Sequence, residues 1–144
     1  MSDADALAAE LERLFAVLVR EGARLGFTER TQLSPMQRFT LAAAVDRGPL
    51  RLGALADAIG TTDATATRTV QALERDGLVA RARAEADGRG VVIEATREGR
   101  ALVLRGRRRT AQLLDRLLDG VADEDRERLV ELLRAVSGAV SLEA

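Results

Sequence analysis

Apolar side chains recur along this chain with two periods, and the changes of period divide it. Leu7, Leu11, Leu14, Leu18 and Leu25 follow steps of four, three, four and seven, a heptad-like stripe that predicts a helix over residues 3–25. Phe15 widens the stripe, and Gly22 and Gly26 loosen its end. Ser34-Pro35-Met36-Gln37 is a helix start: a serine cap, proline at the first helical position and a glutamine that completes a capping box. This helix runs to about Asp46 and stops at Gly48-Pro49. Leu52, Leu55, Ala56 and Ile59 share one face of a short helix over 51–59 that Gly60 closes. Thr61, Thr62 and Asp63 are competent caps for the next helix, 63–76, where Ala66, Val70 and Leu73 form one face before Gly77. Two short helices joined by a tight, glycine-containing turn make a helix-turn-helix pattern.

The period then shortens. Leu78–Arg83 alternates as a strand, Asp87-Gly88-Arg89-Gly90 reads as a turn, and the β-branched run Val91–Ala95 reads as the returning strand. Thr96 caps a long helix over 97–118 lined by Leu102, Leu113, Leu114, Leu117 and Leu118, and Asp119-Gly120 breaks it. Asp123 caps a last helix with the stripe Leu129, Leu132, Leu133, Val136 and Val140. The predicted fold is mainly α with a small β-hairpin, an α+β winged helix-turn-helix. The winged reader occupies residues 33–96, and residues 1–32 and 97–144 form a helical dimerisation region. Burying one leucine contributes about 1.5–3 kcal/mol. Leu7, Leu11, Leu14, Leu18, Leu113, Leu117, Leu129, Leu132, Leu133, Val136 and Val140 are therefore expected to form a core shared between two copies.

Composition narrows the chemistry. Among 144 residues there is no Cys and no His, so thiolate and imidazole chemistry is absent and no metal or other cofactor is expected. No nucleophile–base pair or phosphate loop stands out, and the chain is read as a non-enzyme. The acidic start Met1-Ser2-Asp3-Ala4-Asp5 lacks an apolar leader and no apolar run reaches membrane length, so a cytoplasmic protein is expected. All 22 basic residues are arginine, a forked donor suited to phosphates and guanine edges. The net charge is −1, so contact with duplex DNA must rest on local clustering. Ten arginines against nine acids between residues 33 and 100 leave a second reading open, a winged-helix protein-interaction module without DNA binding.

With Ala66, Val70 and Leu73 inward, the 63–76 helix turns Ala64, Arg68, Gln71 and Arg75 outward and carries Thr65 and Thr67 on its flanks. A helix entering a major groove touches bases with its N-terminal residues, which adds Thr62 and Asp63 to the candidates. Arg68 can fork to guanine O6 and N7, Ala64 can touch a thymine methyl, and Asp63 suits a cap better than a base contact. On the hairpin, Arg81, Arg83 and Arg89 can follow a minor groove, with Asp87 orienting an arginine. The run Arg105, Arg107, Arg108 and Arg109 reads first as a solvated face. A phosphate contact or pairing with Asp123-Glu124-Asp125 is its sharper alternative.

In this order and spacing, several segments together resemble the MarR family of bacterial regulators. They are Leu33-Ser34-Pro35-Met36-Gln37, Leu55-Ala56, Thr67-Arg68, Leu73–Arg81, Asp87-Gly88-Arg89-Gly90 and Ala95-Thr96-Arg97-Glu98-Gly99. The resemblance implies a homodimer whose end helices intertwine and which binds double-stranded DNA at pseudo-palindromic operators, commonly as a repressor. It implies Arg89 as the groove-inserting residue. It also implies release by a small anionic or phenolic effector, for which Phe15, Arg20, Arg24, Phe27, Arg38 and Phe39 are candidate pocket residues. Two positions depart from the family pattern: Arg51-Leu52 stands where a Thr or Ser cap is usual, and Ala95 where Leu is usual.

Overall fold

The computed structural model of the chain describes residues 2–24, 33–84 and 90–141. Its elements are α1 (Asp3–Arg24), α2 (Pro35–Arg47), β1 (Leu50–Arg51), α3 (Leu52–Ile59), α4 (Asp63–Arg75), β2 (Val79–Arg83), β3 (Val91–Ala95), α5 (Arg97–Leu117) and α6 (Asp123–Ser141). The order agrees with the hydrophobic pattern, and the helix ends shift by a residue or two. The chain divides into two units, Gln32–Arg105 with Ala122–Ala144, and Met1–Thr31 with Gly106–Val121. The first turns of α5 thus group with the winged reader, because Leu102 and Val103 pack on its core.

That core is Leu41 from α2, Leu55 from α3, Val70 and Leu73 from α4, Val79 from β2 and Ile93 from β3. Of these, Leu55, Val70 and Leu73 fall on the inward faces that the period predicts, whereas the pattern does not single out Leu41, Val79 and Ile93; Thr69 is also buried. The Thr69 hydroxyl donates to the Thr65 carbonyl at 2.9 Å, which satisfies it within its own helix. Ser34 caps α2 as read: its hydroxyl accepts from the Gln37 amide at 3.2 Å, and Gln37 Oε1 accepts from the Ser34 amide at 2.8 Å.

The sheet has three antiparallel strands in the order β1-β3-β2, not the two of the hairpin alone. Leu50 pairs with Ile93 and Arg51 with Val92. Two residues between Pro49 and a helix are too few to show an alternation, so β1 carried no periodic signal. Arg51 is at once the end of this strand and the residue before α3, and its side chain makes no capping bond there.

The end of α4 and the start of α5 meet at one carbonyl. Gly77 takes φ +73°, its amide bonds the Glu74 carbonyl at 3.0 Å, and the Leu78 amide bonds the Leu73 carbonyl at 2.9 Å. This is a Schellman ending, completed by Leu78 packing on the core that holds Leu73. The Leu78 carbonyl then accepts the Thr96 amide at 3.0 Å. Thr96 Oγ1 donates to the Gly77 carbonyl at 2.7 Å and accepts from the Gly99 amide at 3.1 Å, so it caps α5 while tying it to the root of the hairpin. A Cβ on Gly99 would lie 2.0 Å from the Leu78 carbonyl oxygen and 3.0 Å from Leu41 Cδ1.

In the other unit, Ser2 caps α1: its hydroxyl oxygen accepts from the Asp5 amide at 3.2 Å, and its amide and hydroxyl donate to Asp5 Oδ2 at 2.9 and 2.8 Å. These bonds hold the Asp5 carboxyl below the usual carboxylate range. Leu113 is buried within the chain, whereas Leu7, Leu11, Leu14, Phe15 and Val19 of α1 stay exposed. Among the described residues, no helix is long and apolar enough to cross a membrane.

Replacing glycine by alanine inside a helix ordinarily adds about 1 kcal/mol of stability. Gly99→Ala should instead destabilise the protein by about 3 kcal/mol, the upper range of overpacking, because backbone must move. Thr96→Ala should lose about 1 kcal/mol, the worth of a cap. Urea unfolding of the two variants against the parent chain checks both the magnitude and the reversed sign at Gly99.

Candidate nucleic-acid interface

Helix α4 begins at a threonine turn. Thr62 is its cap: the backbone there is extended, and Thr62 Oγ1 accepts from the Thr65 amide at 3.2 Å. Of the three competent caps Thr61, Thr62 and Asp63, the structure uses Thr62. Asp63 is the first helical residue, where its negative charge still complements the exposed amides of the helix start. Thr67 donates its hydroxyl to the Asp63 carbonyl at 2.7 Å, and Thr62 to Thr65 Oγ1 at 3.0 Å. The hydroxyls at this end are therefore already oriented, with oxygen lone pairs left to accept.

The burial along α4 follows its period. Ala66, Val70 and Leu73 are fully buried; Thr65 and Thr67 are half-buried; Ala64, Arg68, Gln71 and Arg75 are exposed. Arg68, Gln71 and Arg75 sit at i, i+3 and i+7, one row down the outer side of the helix. Arg68 and Arg75 have no ion-pair partner among the described residues.

On the hairpin, Arg81 and Arg83 lie on the same strand face as buried Val79, with Arg81 opposite Ile93 and Arg83 opposite Val91. Arg83 is exposed. Arg81 donates from Nε to Glu74 Oε1 of α4 at 2.8 Å. This ion pair between hairpin and helix had no signal in the sequence, since residues seven apart across a turn obey no fixed period. Asp87 and Arg89 lie outside the described residues. Beside them, Gly90 has φ +84°, and a Cβ there would come within 2.9 Å of Arg51 Nη1. Glycine at this position lets the Arg51 guanidinium lie against the start of β3, at the turn end of the hairpin.

The remaining candidates fall as follows. Leu7, Leu11, Leu14, Leu117, Leu129, Leu132, Leu133 and Val136 are exposed apolar residues, Leu18 is half-buried and Leu113 is buried. Leu113 therefore serves the interior of its own chain. Leu11, Leu14, Phe15 and Leu18 line a shallow apolar groove along α1. Arg20 is exposed beside Glu21, at 3.4 Å. On α2, Phe39 is 63% exposed and Arg38 is exposed beside it. Phe27 lies outside the described residues, as do the side chains of Arg24 and Val140. No cluster of three potential metal-ligating side chains occurs among the described residues.

Residues 31–90 match the model of the MarR family. Over nearly its full length the chain is similar to a MarR family protein from Bacillus stearothermophilus, at 26% identity with a TM-score of 0.73, covering 98% of this chain and 99% of that one. It is similar to BpsR of Bordetella bronchiseptica, whose DNA binding is regulated by 6-hydroxynicotinic acid. The identity is 25% and the TM-score 0.66, covering 94% of this chain and 93% of BpsR. It also shares the fold of Streptococcus pneumoniae FabT, solved in complex with DNA, at 22% identity and a TM-score of 0.72, covering 99% and 100%. No curated protein matches the chain in sequence.

If Thr62 and not Asp63 caps α4, Thr62→Ala should cost about 1 kcal/mol, while Asp63→Ala should cost about half that or less. Thermal unfolding of the two variants gives the order, and equal or inverted losses would return the cap to Asp63.

Proposed function

Because residues 31–90 are a MarR family segment and the whole chain has the fold of solved members of that family, we propose that the protein is a DNA-binding transcriptional regulator. It acts as a homodimer on a pseudo-palindromic operator, as a repressor, and a small anionic or phenolic molecule releases it. The observation that carries this reading is the outer row of α4: Arg68, Gln71 and Arg75 stand exposed in register on a helix whose inner side is fully buried. A rigid helix with a forked donor near its N-terminal half can enter a major groove and read a guanine edge. Arg81 and Arg83 continue the basic surface onto the hairpin. The fold shared with FabT, which is seen with DNA, supports this assignment of the surface.

The dimer is supported by apolar area that the single chain leaves in water. Helix α6 exposes Leu129, Val130, Leu132, Leu133 and Val136, and α1 exposes Leu7, Leu11, Leu14, Phe15 and Val19. Stripes of this size on a soluble chain mark an association surface. A second copy also supplies the second reader that successive major-groove faces need, about 34 Å apart. The effector is supported by BpsR, whose DNA binding responds to 6-hydroxynicotinic acid.

Fluorescence anisotropy of a labelled duplex from the region upstream of the protein's own gene tests the DNA reading. The parent chain should bind, with log K falling linearly as log salt rises, because arginines displace counterions from phosphates. Arg68→Ala should weaken binding to the matched duplex by about tenfold or more and should narrow the gap to a scrambled duplex, since a base contact carries sequence information. No duplex binding even at about 50 mM salt would sink the proposal in favour of a protein-interaction module. For the dimer, Leu132→Glu combined with Val136→Glu should convert a sedimenting dimer to monomer; an unchanged sedimentation coefficient would move the interface elsewhere.

A further inference from the structure

Glu74 stands among the basic residues of the proposed reading surface, where its charge would repel a phosphate backbone. It follows buried Leu73, precedes exposed Arg75, and lies three residues from exposed Gln71. Its backbone is held by the helix ending, since its carbonyl accepts the Gly77 amide at 3.0 Å. Its side chain is 29% exposed and that of Arg81 is 42% exposed. An ion pair this open to water contributes little to stability, so holding the fold together does not account for it.

Geometry gives it another task. Arg81 is bonded through Nε alone, at 2.8 Å. A guanidinium carries five N–H donors. The bond therefore uses one of them and leaves both η amino groups unengaged among the described residues. A free arginine side chain samples many rotamers, and ordering it on binding costs conformational entropy. A carboxylate anchored on a rigid helix removes that freedom before DNA arrives.

We propose that Glu74 is a positioning residue for DNA binding: it fixes the guanidinium of Arg81 through Nε, so that its η amino groups are preset for a backbone phosphate at the junction of α4 and the hairpin. The inference rests on the DNA-binding reading above. Electrostatics alone gives the opposite expectation, in which deleting a carboxylate beside phosphates tightens binding.

The test measures duplex affinity and its salt dependence for the full chain and for Glu74→Ala, Glu74→Gln, Arg81→Ala and the double variant Glu74→Ala/Arg81→Ala. Circular dichroism and sedimentation confirm that each is folded and of parental size. Glu74→Ala should bind about tenfold more weakly, the worth of one charge-assisted hydrogen bond, and its salt slope should flatten by about one. Glu74→Gln keeps the acceptor for Nε and should restore the parental slope and affinity. Arg81→Ala should match Glu74→Ala, and the double variant should be no worse than either single one, since both remove the same contact. Tighter binding by Glu74→Ala and Glu74→Gln alike would overturn the proposal and leave Glu74 a repulsive charge only. Additive losses in the double variant would overturn it as well. A parent chain that binds no duplex fails the DNA reading itself, a result distinct from either of these.

Discussion

The carbonyl of Leu78 is the point on which the reader's geometry turns. It accepts the Thr96 amide, and it fills the space where any residue but glycine at position 99 would carry its Cβ. Through Thr96 Oγ1, the neighbouring Gly77 carbonyl is bound to the same helix start. The end of α4, the root of β2, the end of β3 and the first turn of α5 are thereby held to one another by backbone atoms, whose positions side-chain motion does not blur. If α4 enters a groove as proposed, correct side chains gain nothing while its axis can rock. The hairpin beside it would likewise follow a different path if β2 left α4 at another angle. Gly77 sets that angle with a left-handed backbone, and Gly99 lets α5 approach closely enough to keep it.

Charge is the second constraint, and it acts locally. The net charge of −1 gives no general attraction to a polyanion, so the proposed affinity for DNA would have to come from where the arginines stand. The outer row of α4 is basic and polar, with the acids moved aside: Asp63 to the helix start and Glu74 against Arg81. Asp63 stands in the first turn of the helix. Glu74 faces a guanidinium at hydrogen-bond distance. Glu74 thus has a local partner, and Asp63 sits where the helix dipole favours a negative charge.

Most of this was legible in the residues because it is periodic. The inward set Ala66, Val70 and Leu73, the outward set Ala64, Arg68, Gln71 and Arg75, and the flanking Thr65 and Thr67 all follow from 100° per residue, and burial agrees position by position. Ser34 and Gln37 announced a cap by type and spacing, and they make both bonds. What the pattern could not give is mostly contacts between residues distant in sequence, together with one choice between adjacent caps. Strand β1 is two residues long and exists only because β3 offers it a partner. The cap of α4 lay between three adjacent candidates of similar chemistry, and the backbone turn chose Thr62 over Asp63. The Glu74–Arg81 pair crosses a helix ending, and the Gly99 contact crosses from α5 to the root of the hairpin. A motif that couples threonine with glycine three residues on reads in the sequence as a cap alone. The reason for that glycine appears only with Leu78 in place.

The apolar helices set a different requirement. Exposure of Leu129, Leu132, Leu133 and Val136 along α6, and of Leu7, Leu11 and Leu14 along α1, leaves each single chain with hydrophobic surface that its own fold does not cover. Leu113 shows the contrast within one stripe, since it is buried by its own chain while Leu117, one turn later, is exposed. A stripe that merely filled the interior would be buried throughout. One that is half buried and half bare divides its residues between folding and association. On the proposed function this division would tie assembly to DNA affinity, because a monomer would carry one reading helix and a dimer two.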